Sequence, residues 1–151
     1  MAEDRRKALL EHYRKGRKIL LDSIQGLTDT QMIETSIDGW SVKDHLAHIA
    51  LWDDVRADEV VRISAGHDTA WRLNDEYSLA FNEMSYRSRV ALPLSQVRWE
   101  LGNSRKRLND ALASAAPRAL DASLYGAAGL GKLHEHEHAG WIRRWRTEKG
   151  I

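Results

Sequence analysis

The chain has 151 residues, no cysteine, and 23 basic against 22 acidic side chains, for a formal charge of +1. That length suits one domain over residues 1–151 with a core of its own. The near-neutral charge argues against a dedicated nucleic-acid binder. The missing cysteine excludes disulfides, zinc–thiolate sites and a cysteine nucleophile, so any metal must sit on histidine nitrogen or carboxylate oxygen.

The first helix is predicted from Glu3 to Gln25. Leu9 or Leu10, Tyr13, the aliphatic stem of Arg17, Leu20 or Leu21, and Ile24 recur at helical spacing, and Gly26 is placed to end it. Asp38-Gly39-Trp40-Ser41 reads as a turn followed by an N-cap. Ser41 with Asp44 three residues on is a short-armed capping box. The second helix should run from Val42 to about Ala65 and end near Gly66, with Val42, Leu46, Ile49, Val60 and Ile63 on its apolar face.

A loop with His67, Asp68 and Thr69 follows, then a shorter helix from about Asn74 to Arg89. Pro93 suits the first turn of the next helix, which reaches about Ala113 through Leu94, Val97, Leu101, Leu108 and Leu112. The glycine-rich stretch Tyr125 to Gly131 leads into a last helix through Leu133, His134, His138, Trp141, Ile142 and Trp145. No segment alternates with period two for long enough to be a strand. The expected fold is all-α: a four-helix bundle with one extra short helix.

Arg143, Arg144, Arg146 and Lys149 form a local basic run, which the dipole at a helix C-terminus favours without a phosphate ligand. The segment with Arg5, Arg6 and Lys7 lacks the apolar stretch of a signal peptide. No window approaches the roughly 18 continuous apolar residues of a membrane span. The expectation is a cytoplasmic protein that engages neither membrane nor nucleic acid.

The sharpest signal is His134-Glu135-His136-Glu137-His138. Residues at i and i+4 share a helix face, close enough for both rings to reach one ion. At about 100° per residue, His134, His138, Trp141 and Trp145 fall on one stripe with Leu130, expected to face the core. His136 points elsewhere and is expected to be solvated. A lone histidine on an apolar face is usually a satisfied core residue, but burying two imidazoles unpaired is costly, and a shared metal supplies the partner.

His134-Glu135-x-x-His138 also matches the zinc-protease pattern, whose glutamate is a general base. Those enzymes take a third ligand downstream in most cases, which the short remainder of this chain does not supply. An upstream ligand is therefore needed. His12 and His67 are expected to be solvated, while His45 and His48 share a face at i,i+3. The helical wheel slightly favours His45 as core-centred and puts His48 at the edge; spacing does not choose between them.

Gly39-Trp40-Ser41-Val42-Lys43-Asp44-His45-Leu46-Ala47-His48-Ile49-Ala50, followed by His134-x-x-Glu137-His138-Ala139-x-x-Ile142, resembles the DinB/YfiT-like superfamily of metal-binding four-helix bundles. Its relatives include mycothiol-dependent maleylpyruvate isomerases and ClbS/DfsB-type bundle proteins. The resemblance covers the first two helices and the last, and is loose around Leu73 to Tyr77 and Phe81-Asn82. It implies that the histidine eight positions after the tryptophan, His48, is a metal ligand together with His134 and His138. It also implies a homodimer as the assembly state.

Three imidazoles without a thiolate suit a divalent ion, Zn²⁺ foremost and Ni²⁺ or Fe²⁺ as alternatives, with open coordination positions. An open position lets the ion activate a water or a small-molecule thiol. The resemblance implies thiol-dependent transfer or isomerisation, or hydrolysis, of a small electrophilic substrate, with a low-molecular-weight thiol as co-substrate. Glu137 and Glu135 are the nearest carboxylates and candidates for a general base or for orienting a ligand ring. Acids in a first helical turn are also favoured by the dipole alone. Asp53 and Arg56 could pair or face the site, and Trp52, Trp141 and Trp145 could pack the core or wall an apolar cavity. The alternative reading is a non-catalytic bundle that sequesters a metal or a toxic small molecule.

Overall fold

The computed structural model describes residues 1–36, 39–72 and 75–151. The described elements are all helical: α1 (Ala2–Ile24), α2 (Asp29–Ile33), α3 (Val42–Ser64), α4 (Asp75–Arg89), α5 (Leu94–Ala113), two 3₁₀ turns (Pro117–Leu120 and Ala122–Ala128) and α6 (His134–Lys149). The four long helices and the shorter α4 match the expected all-α bundle. Asp38 of the expected turn, and Leu73 and Asn74 around the expected start of α4, lie outside the described residues.

Local sequence accounts for most boundaries. Ser41 accepts from Asp44 N while the Asp44 carboxylate accepts from Ser41 N, at 3.1 and 2.9 Å, completing the expected capping box of α3. The five-residue α2 was not expected, although Thr28 and Gln31 form the same reciprocal cap. Pro93 is the N-cap of α5, one position ahead of its expected place in the first turn. At Gly126 a side chain could not be accommodated: φ is +51°, and an added Cβ would lie 2.2 Å from the Trp71 carbonyl oxygen. That approach lets Ala127 N donate to the same carbonyl at 2.8 Å, tying the second 3₁₀ turn to the segment before α4.

Contacts between helices give their directions. Lys43 reaches Val90 and Leu92, Asp53 meets Arg105, and Ser64 meets Ala116, so α3 and α5 run parallel. His12 bonds Lys132 and Arg146 bonds Ser23, so α1 and α6 are parallel as well. Arg6 bonds Leu112 and Arg17 bonds Leu101, setting α1 against α5 in the opposite sense. The bundle is thus up–down–down–up, and α4 lies in the long crossover that parallel α3 and α5 require.

The apolar interior forms two clusters. One holds Tyr13, Val60, Ile63, Leu108, Leu112, Tyr125 and Leu130; the other holds Leu20, Leu46, Ile49, Val97, Leu101, Ile142 and Trp145. Between them each long helix inserts one charged residue: Arg17, Asp53, Arg105 and Glu135. Arg17 meets Asp53 at 3.0 Å and Glu135 at 2.8 Å; Arg105 meets Asp53 at 3.2 Å and also bonds Glu135. A buried ion pair persists when every charge has a partner, and this layer satisfies that condition. No described helix is long and apolar enough to cross a membrane.

Candidate metal centre

The second and last long helices cross with His48 opposite His134 and His45 opposite His138. His134 is the first residue of α6, and the αL glycines Gly129 and Gly131 turn the chain into it. The i,i+4 spacing then stacks His138 one turn below. One ligand nitrogen from each of His48, His134 and His138 lies within 4.8 Å of the others. His48 Nε2 and His134 Nε2 are 3.0 Å apart. Two nitrogens about 2.0–2.1 Å from a tetrahedral ion would stand about 3.3 Å apart, so a few tenths of an ångström separate this pair from ligand spacing. These three histidines could hold a metal ion.

Electrostatics favour the form that binds one. Burial is the main cause that lowers the His48 pKa to about 3, with His45 and Arg56 adding to it. Burial likewise holds His134 and His138 well below the ordinary histidine value, and Arg56 pushes the same way on both. Arg56 is the surplus cation beside the charged layer: it lies 3.7 Å from Asp53, donates through Nε to Ala128 O at 2.9 Å, and brings Nη2 within 3.5 Å of His134 Nδ1. A fixed positive charge at that distance opposes imidazolium and leaves neutral rings with lone pairs to donate.

Two clefts meet at His48. One, of about 210 Å³, is polar and bordered by Arg56, Lys132, His134, Glu137, Ser78 and Asn82. The other, of about 320 Å³, is more apolar and walled by Trp40, Trp141, Leu79 and His138. Asn82 of α4 borders both and accepts from Trp52 Nε1 at 2.8 Å. Trp40 stacks on Tyr86 of α4, 5.2 Å between centroids and 3° from parallel.

The other expected site residues separate clearly. His45 is buried inside the bundle but lies outside the three-nitrogen group. Glu135 turns to the far side of α6 and is held by Arg17 and Arg105; Glu137 is exposed at the rim of the polar cleft. His67 is exposed as expected. His136 and His12 are half-buried rather than solvated, because their rings stack on each other between α6 and α1, 6.2 Å apart. Trp145 is buried, but Trp141 keeps 40% of its surface exposed because it sits where the apolar cleft opens, over His138.

Two features escaped the sequence reading. The four-helix charged layer was not foreseen, although Arg105 falls at i+4 after Leu101 and ahead of Leu108 on the apolar face. Trp40 was read as part of a turn rather than as a wall of the cleft.

The pattern of the DinB superfamily matches residues 12–145. The chain belongs to the DinB superfamily. The matched span contains α3 and both His134 and His138 of α6, so all three histidines fall within the shared domain. A crystal structure of an uncharacterised protein from Escherichia coli UTI89 superposes with a TM-score of 0.74 over 97% of this chain and 95% of that one, at 12% identity. That likeness concerns the fold. No curated protein matches the DinB-superfamily chain by sequence.

Proposed function

We propose that His48, His134 and His138 hold one divalent ion, Zn²⁺ foremost and Ni²⁺ or Fe²⁺ as alternatives, and that the protein is an enzyme for a small electrophilic substrate. The observation that carries this reading is the convergence of three neutral imidazoles, and no fourth donor in their group among the described residues, at the junction of two clefts. A closed structural site would take four protein ligands, whereas three leave a position for a reactant. When bound, the ion supplies Lewis acidity, which lowers the pKa of a water or thiol and polarises an electrophile.

The chain's own residues do the rest. Burial and Arg56 keep the ligand rings neutral. Trp40 and Trp141 give an apolar part of the substrate a surface away from water. Glu137, at the rim of the polar cleft, would take up a proton from the nucleophile; Glu135 is committed to its arginines. Because the chain has no cysteine, thiol-dependent transfer or isomerisation would require a low-molecular-weight thiol as second substrate, and hydrolysis would require water alone.

Metal analysis of the purified wild type and of the three single-alanine ligand variants tests the site. Turnover of a panel of electrophiles, with and without added thiol and before and after chelation, tests the chemistry. Stoichiometric retention of a compound without turnover would instead make the protein a sequestering bundle.

A further inference from the structure

We infer that His45 is a positioning residue: its Nδ1 accepts the Nδ1 proton of His138 and so leaves the Nε2 lone pair of His138 for the ion. This rests on the metal-site reading above. His45 Nδ1 lies 2.8 Å from His138 Nδ1, with ring centroids 5.0 Å apart and planes at 69°. Two imidazole nitrogens at that distance share one proton. If His45 owned it, His138 would receive it on Nδ1 and carry its own proton on Nε2, where it could bind nothing. If His138 owns it, Nε2 is bare. Only the second arrangement makes a ligand of His138, so metal binding selects it.

The surroundings keep that choice from being made by solvent. His45 and His138 are 2% and 4% exposed, Trp40 lies 5.4 Å from the His45 ring, and Trp141 packs on both rings at 6.2 and 4.7 Å. Water has little room to replace the acceptor. Ligand histidines usually hand their second proton to a carboxylate, a backbone carbonyl or a water; here Nδ1 of His45, on the facing helix, takes that part. His45 also lies one turn before His48 on α3, so one helix supplies both a ligand and the group that orients another.

Zinc affinity by chelator competition on the full chain, with ¹⁵N-histidine spectra of the zinc-loaded wild type, tests this. The expected spectrum places the His138 proton on Nδ1 and shows a through-hydrogen-bond ¹⁵N–¹⁵N coupling to His45 Nδ1. His45→Leu, which removes the acceptor and suits the apolar surroundings, should bind zinc about 10–100-fold more weakly. His45→Asn, whose Oδ1 occupies nearly the place of Nδ1, should recover most of that loss. A His138 proton on Nε2, direct coordination by His45, or an unchanged affinity in His45→Leu would each overturn the inference while leaving the three-ligand site standing. A wild type that takes up no zinc would overturn both. The wild-type spectrum decides the matter even if the leucine variant fails to fold.

Discussion

The charged layer of Arg17, Asp53, Arg105 and Glu135 and the cluster of His48, His134 and His138 both draw on α3 and α6: Glu135 follows His134 directly, and Asp53 lies little more than one turn beyond His48. In the layer, each carboxylate faces two arginines, and each arginine also donates to a backbone carbonyl, Arg17 to Leu101 and Arg105 to Tyr13. In the cluster, three imidazoles face one another with no carboxylate of the described residues in their group, and a cation beside them discourages protonation. One polar group is completed by the chain. The other, on the function proposed above, would be completed by a bound ion, and that contrast would separate structure from function more sharply than burial does.

The largest effect expected is on metal content. His48→Ala, His134→Ala and His138→Ala should each abolish stoichiometric binding after dialysis against zinc, whereas His136→Ala, whose ring faces His12, should bind like wild type. Metal lost from His136→Ala but kept by His134→Ala would mean that the helix phase is wrong. Next in size is Asp53→Ala, which leaves Arg17 and Arg105 sharing Glu135 alone and takes from Arg56 its carboxylate neighbour. It should cost about 3–5 kcal/mol in urea unfolding of the metal-free protein, while the ligand substitutions cost far less; comparable losses at both places would erase the contrast.

pH gives a third handle. His48, His134 and His138 have lower pKa values in the folded chain than in the unfolded one, so below about 6.5 the unfolded state binds more protons. The metal-free protein should keep full stability above about 6.5 and lose it as the pH falls from there toward the folded His48 value of about 3. His48→Ala should make that slope shallower, and a melting temperature independent of pH between 7 and 4.5, in roughly the range where histidine titrates, would count against buried neutral rings. The smallest effect is expected at Trp141→Ala, below about 1 kcal/mol in stability because the ring is partly exposed. Its consequence should appear instead as weaker binding of apolar ligands, read by quenching of the remaining tryptophans.

Helix periodicity made the bundle legible, and the Ser41–Asp44 cap and Gly66 marked the ends of α3 closely. The closeness of His134 and His138 was legible because both lie on one helix, where spacing is geometry. His48 was not, since its distance from α6 is set by how two helices cross; resemblance to the DinB superfamily supplied it. The charged layer stayed hidden for the same reason: Arg17, Asp53, Arg105 and Glu135 are 36, 52 and 30 residues apart in turn, and nothing local pairs them. Trp141 was misplaced because a helical wheel gives direction but not where the neighbouring helix stops covering it.

No described side chain of α4 is buried, and the helix is held by aromatic contacts from Tyr86 and Phe81 and by the Asn82–Trp52 bond. The same helix borders both clefts through Ser78, Leu79 and Asn82. The α4 residues that border the clefts are thus less buried than the α3 and α6 residues on the opposite walls, such as Trp52, Arg56 and His138, and the residues that would hold the ion lie elsewhere. On the function proposed above, mutational drift along α4 would redraw what enters while the three histidines stay as they are, so that selectivity would diverge faster than the chemistry.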